Sequence, residues 1–166
     1  LRLRIAAGSL MENEDQLGLA HFMEHMAFNG TTNVPENELL RILERLGLAF
    51  GADTNAFTSF DQTAYTLELP RTNDETVDAS LMLLREAAGN LTLDPGAIDR
   101  ERGVVLAEER ARDTPPYRSL KDRFAFVMKG QLPPRRMPIG QVEVLKTAKA
   151  DEIRKFYTDY YRPARA

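Results

Sequence analysis

The sequence has no cysteine and only two histidines in 166 residues. Without cysteine there can be no disulfide framework, thiolate zinc site or cysteine nucleophile, so any metal ion must be held by imidazole and carboxylate groups. Long apolar runs are missing as well. Nothing approaches the ~18 consecutive apolar residues of a membrane-spanning helix, and the N-terminal residues lack the charged, apolar and small-residue order of a signal peptide. Nor is there an excess of positive charge: 22 Lys plus Arg stand against 25 Asp plus Glu, a net charge of -3. That balance lacks the basic footprint of a nucleic-acid binder. What is present is 43% hydrophobic and 28% charged residues, over a length that fits one globular domain spanning residues 1–166 with a real core.

The patterning predicts a mixed α and β chain. Leu1 to Ile5 alternates like a half-buried strand. Gln16 to Phe28 reads as a helix closed by Asn29-Gly30, and a second helix is expected from Pro35 through Leu46 to a Gly47 stop. Phe50 to Phe57 and Asp61 to Leu69 carry the aromatic and β-branched residues of two antiparallel strands joined around Thr58-Ser59-Phe60. Thr76 to Ala88 fits an amphipathic helix, and Asp94-Pro95 caps a longer one running to Arg112. Pro115-Pro116 breaks it, Tyr117 to Lys129 resumes as helix, and Gln131 to Ile139 reads as an exposed loop with Arg135-Arg136 in solvent. Ile153, Phe156, Tyr157, Tyr160 and Tyr161 recur at the spacing of a packed helix that Arg162-Pro163 stops. The expected class is α+β, with a mixed, largely antiparallel sheet and helices packed on one face.

One stretch breaks the pattern. From Leu17 to Phe28 every residue is apolar or glycine except His21, Glu24 and His25. Burying two imidazoles and a carboxylate costs several kcal/mol or so unless partners satisfy them. On a helix, His21 and His25 sit at i and i+4, one above the other, so their ring nitrogens can converge on one ion. Glu24 projects beside them, close enough to accept a proton from an activated water without being a ligand itself. His-x-x-Glu-His is the inverzincin order, the reverse of His-Glu-x-x-His.

The stretch from Gly18 to Thr31 resembles the active-site helix of the M16 (pitrilysin, insulinase-like) zinc metallopeptidases, in particular their bacterial PqqL-like branch. The similarity continues through Asn55-Ala56-Phe57-Thr58-Ser59, Thr63-Ala64-Tyr65, Arg100 to Glu109, and Tyr160-Tyr161-Arg162-Pro163, and so covers nearly the whole chain. The resemblance implies a third zinc ligand from a segment patterned Glu-Arg-x-x-Val-x-x-Glu, for which Glu101 and Glu108 are the candidates. They lie two helical turns apart in one stripe with Ala97, Ile98, Val104 and Val105, so both are expected to face inward. Arg100, Arg102, Arg110 and Arg112 are expected at the surface. By resemblance Glu108 matches the ligand and Glu101 the supporting catalytic acid.

The same resemblance implies a zinc endopeptidase in which His21, His25 and Glu108 hold Zn2+, Glu24 is the general base, and Asn55, Ala56, Phe57 and Thr58 offer a strand edge to a peptide or small protein substrate. It further implies later homologous domains that close a substrate chamber, and a periplasmic or secreted location in a bacterium. A chain opening inside a strand and stopping after Pro163 is expected to be truncated at both ends, to cleave poorly alone, and to cover its open edges as a homodimer. The reading from another class is a noncatalytic scaffold or peptide-binding subunit of the same fold, against which the intact His21, Glu24 and His25 argue.

Overall fold

Three short strands form one antiparallel sheet in the computed structural model, which describes every residue except Phe50 and Ala52. Strand β1 (Arg2–Ile5) and strand β2 (Thr54–Thr58) both pair with the central β3 (Thr63–Leu67), with Leu3 opposite Tyr65 and Ala56 opposite Tyr65 on the other side. Among the described residues β2 is therefore an edge strand. The β2–β3 turn falls at 59–62, where Ser59 N donates to Gln62 O. Thr58 belongs to the strand rather than the turn, and the predicted strand start at Phe50 lies outside the described residues.

Among the described residues seven α-helices accompany this sheet: α1 (Leu19–Met26), α2 (Glu38–Arg45), α3 (Asp74–Gly89), α4 (Pro95–Arg112), α5 (Pro115–Val127), α6 (Val142–Thr147) and α7 (Ala150–Tyr160). Helix α1 is the hub. Its Leu19, Phe22, Met23 and Met26 meet Ile5 and Tyr65 of the sheet, Ile98 and Val105 of α4, Leu145 of α6, and Ile153 and Phe156 of α7 in one buried cluster. Complete burial of a side chain such as Phe22 contributes about 1.5–3 kcal/mol. A smaller cluster joins Leu39 and Leu43 of α2 to Leu67 and Leu83.

Helix starts depart from the sequence expectation where the backbone turns left-handed. Gly18, at φ +106°, sets the start of α1 three residues beyond the predicted Gln16, and Asn37, at φ +69°, delays α2 from Pro35 to Glu38. Helix α4 matches its predicted bounds because its signals are local: Asp94 Oδ1 accepts from Ala97 N at 3.0 Å and Pro95 occupies the first position. Pro115 and Pro116 begin α5 behind the Thr114 cap, and the short α6 has too few residues for a readable period.

Three expectations are corrected. Val104 is 51% exposed, because the inward stripe of α4 runs through Ile98, Glu101, Val105 and Glu108 and leaves Val104 at its margin. Arg102 is not a surface group. Its guanidinium donates to Leu145 O and to Ala148 O (2.7 Å), satisfying carbonyls at the end of α6. Arg136 is 7% exposed rather than solvated, and pairs with Glu14 Oε1 at 2.8 Å.

Candidate metal centre

The start of α1 has no side-chain cap of its own. The buried Glu12 supplies one from a distance, accepting from Gly18 N at 3.0 Å through Oε2 and from Ala20 N at 2.8 Å through Oε1. This carboxylate sits where the helix dipole favours negative charge. Burial nevertheless pushes its carboxyl up to about 7, against the two backbone bonds and Arg136. The helix therefore begins two residues before His21, with the Gly18 and Ala20 N–H groups satisfied by this carboxylate.

His21 and His25 leave α1 on the side facing α4. Their Nε2 atoms are 3.3 Å apart, and Glu108 Oε2 lies 3.5 Å from His21 Nε2 and 3.3 Å from His25 Nε2. These are the residues among those described whose donor atoms could hold a metal ion together. Ligands bonded at about 2.0–2.1 Å to a tetrahedral zinc are separated by about 3.3–3.4 Å along each edge, so the donor triangle already has the size of one face of such a site. The donor set fits as well: two imidazoles and a carboxylate, with no thiolate.

The two candidate glutamates of α4 occupy different sides of His25. Glu101 Oε1 lies 2.7 Å from Nδ1, on the ring edge away from the donor triangle. A carboxylate there can only accept, so Nδ1 carries a proton, and Nε2 is the ring nitrogen that faces His21 and Glu108. Glu108 Oε1 in turn accepts from Arg112 Nη2 at 2.6 Å, one helical turn on.

Burial and the neighbouring His25 depress the His21 imidazole to about 4. Burial would depress His25 too, but the Glu101 bond and the carboxylates of Glu24 and Glu108 outweigh it and raise His25 above its ordinary value. Burial raises the Glu24 carboxyl, opposed by a hydrogen bond from Thr58 Oγ1 to Glu24 Oε2 at 2.6 Å. For Glu101 burial acts upward, yet its bonds from His25 and Asn29 hold the carboxyl below the usual range.

A cavity of about 430 Å³ opens beside these groups, lined by Glu24, His25, Asn55, Ala56, Glu101 and Val104 among others. Of the predicted substrate strand, Asn55 and Ala56 border it, and Asn55 Oδ1 accepts the exposed backbone N–H of Ala56 at 2.9 Å. Thr58 turns its hydroxyl to Glu24. Phe57 is not brought to the cavity; Arg2 lies over its ring at 5.2 Å.

Residues 1–128 match the family described as Insulinase (Peptidase family M16). The chain belongs to that family. It is 42% identical over 163 residues to the probable zinc protease PqqL of Haemophilus influenzae, covering 98% of this chain and 18% of that one. The crystal structure of the first half of the periplasmic protease PqqL from Escherichia coli superposes with a TM-score of 0.94 at 36% identity, over 99% of this chain and 35% of that one. The ferredoxin protease FusC, solved as a mutant in complex with Arabidopsis ferredoxin, gives 0.91 at 27% identity, over 99% of this chain and 18% of that one. The M16 fold of a small antiparallel sheet with packed helices is thus shared. This chain spans about a fifth of the length of the curated PqqL relatives it matches.

Sequence reasoning missed Asn29, Glu12 and Arg112 as parts of this centre. Asn29 and Arg112 carried a usable signal, since each lies four residues beyond a site residue, His25 and Glu108 respectively. Glu12 carried none, because its contacts depend on the left-handed turn at Gly18.

Proposed function

We propose that the chain carries the zinc centre of a metalloendopeptidase, with His21, His25 and Glu108 as ligands. The observation that carries this reading is the donor triangle of 3.3, 3.3 and 3.5 Å, the size of one face of a tetrahedral zinc site. When bound, zinc supplies a Lewis acid that polarises water and the scissile carbonyl.

Glu24 is the general base. It takes the proton of the attacking water and returns it to the leaving nitrogen as the C–N bond breaks. Its raised affinity for protons suits the second half of that cycle. The Thr58 hydroxyl holds Oε2, which fixes the carboxylate while Oε1 works. Glu101 does not touch the reacting atoms in this account; it orients His25.

The edge of β2 receives the substrate as an added strand, through Asn55, Ala56, Phe57 and Thr58. The Asn55 carboxamide, which holds the Ala56 N–H, is then displaced by a peptide carbonyl. The FusC complex with ferredoxin supports a substrate class that includes small proteins as well as peptides. The PqqL relative described as periplasmic supports a periplasmic location, and the far greater length of the relatives supports further domains that complete the substrate chamber. Among the described residues no helix is long and apolar enough to cross a membrane.

The test is hydrolysis of a fluorogenic peptide by the full-length protein, with and without chelator, beside Glu24→Gln. The amide keeps the carboxylate's shape but cannot take a proton. Chelator should abolish turnover, and Glu24→Gln should retain zinc while losing on the order of 10²–10⁴ in rate. Near-normal turnover in Glu24→Gln would contradict the assigned base.

A further inference from the structure

We propose that Asn29 is a positioning residue of the metal centre, locking Glu101 against His25 by tying the end of α1 to α4. This rests on the zinc reading above. Asn29 Nδ2 donates to His25 O at 3.0 Å and to Glu101 Oε2 at 3.1 Å. Both partners are acceptors only, so the carboxamide orientation is determined by chemistry: the nitrogen, not the oxygen, must face them. Both protons of one nitrogen are therefore committed, one to each helix.

The two bonds act on the same histidine from opposite ends. The backbone carbonyl of His25 also accepts from Phe28 N at 3.1 Å, so Asn29 occupies its second lone pair and holds the last turn of α1. At the other end, a carboxylate bonded only through Oε1 could swing about its terminal torsion. Anchoring Oε2 removes that freedom and leaves Oε1 aimed at His25 Nδ1, 2.7 Å away. A carboxylate held in this way fixes the ring orientation and makes Nε2 a better ligand; losing such support typically weakens metal binding about 10–100-fold.

Asn29 also borders the cavity, which raises the rival role of substrate contact. The two roles separate cleanly: a contact residue changes KM and leaves zinc affinity alone, whereas a positioning residue changes zinc affinity and the state of the His25 ring.

The experiment measures the zinc Kd of the purified protein by competition with a chelating dye. It compares wild type, Asn29→Leu, Asn29→Asp, Glu101→Gln and the Asn29→Leu/Glu101→Gln pair. Long-range ¹H–¹⁵N spectra of the metal-free protein follow the His25 Nδ1–H proton. Asn29→Leu should weaken zinc about tenfold and move the Nδ1–H signal upfield, at the lower end of the range for lost support. The pair should bind no more weakly than Glu101→Gln alone, because Asn29 acts through Glu101. An unchanged Kd with an unmoved proton signal overturns the proposal, as does full additivity of the two losses. If Asn29→Leu loses its helical circular dichroism, the near-isosteric Asn29→Asp, which lacks the donors and repels Glu101, decides on the same readouts. A wild type that takes up no zinc overturns the metal reading itself, and the proton signal alone then tells whether Asn29 sets the His25–Glu101 pair.

Discussion

Replacing Gly140 with alanine should destabilise the protein through the start of the histidine-bearing helix. Gly140 has φ +83°, and a Cβ built there would lie 2.4 Å from Gly18 Cα, 2.8 Å from Leu17 O and 3.0 Å from Gly18 N. Every one of these atoms is backbone, so no side chain can swing away. The left-handed conformation costs alanine about 1–2 kcal/mol, and forcing the two backbones apart costs about 1–3 kcal/mol more, as overpacking does. The sum, about 2–5 kcal/mol, is a large share of a typical stability of about 5–15 kcal/mol. Separation would also strain the Gln141 N to Leu17 O bond (3.2 Å) and the Gly18 N to Glu12 bond (3.0 Å) just before α1. Urea unfolding followed by circular dichroism measures it: with a slope of about 2 kcal/mol/M, the midpoint should fall by about 1–2.5 M. Gly103 is the control. It sits inside α4 with nothing within 4 Å of its hypothetical Cβ, so Gly103→Ala should stabilise by about 0.5–1 kcal/mol. A Gly140→Ala midpoint within about 0.2 M of wild type, read against typical slopes, would refute the close-approach argument.

Other outcomes follow from the site. Zinc must displace the proton of any protonated ligand. Because His25 is raised above its ordinary value, apparent zinc affinity should fall about tenfold per pH unit once pH drops below that raised value, one proton competing. His21, at about 4, adds a second proton only near and below that pH; an affinity flat from pH 8 to 5 contradicts the assignment. Thr58→Val, which removes the donor to Glu24, should lower kcat about tenfold or more with little change in zinc content, and Thr58→Ser should restore most of it. A rise in KM alone would instead make Thr58 a substrate contact. Glu86→Ala should cost about 1–2 kcal/mol in urea unfolding, because the carboxylate accepts from the buried Thr31 hydroxyl and from the more accessible Asn33 and Asn90 carboxamides; a loss under about 0.5 kcal/mol would show that the pocket rehydrates at little cost.

The histidine-bearing helix was legible in the sequence because its signal is local. Three polar residues in an otherwise apolar run fix both the helix and the shared side of His21 and His25. The capped α4 was equally readable, and its stripe brought Glu101 and Glu108 inward together. Spacing alone could not separate those two, since residues seven apart share a face; the distinction depends on which ring edge of His25 each one meets. The start of α1 was misplaced because the left-handed turn at Gly18 is set by a tertiary contact, the approach of Gly140, and that of α2 because Asn37 also turns left-handed before Glu38. The burial of Arg102 and Arg136 was invisible for a related reason. Their partners are backbone carbonyls and a distant glutamate, and no periodicity within one helix points to either.

Zinc content per chain after saturation and gel filtration tests the central claim most directly, with Glu108→Ala and Glu101→Gln measured alongside wild type. The account predicts one zinc in wild type, loss of it in Glu108→Ala, and retention with weaker affinity in Glu101→Gln, because Glu108 Oε2 lies in the donor triangle and Glu101 lies behind His25. Less than about a tenth of an equivalent in wild type would contradict the metal centre, given the affinities typical of such sites. Full zinc in Glu108→Ala together with none in Glu101→Gln would instead reverse the third ligand.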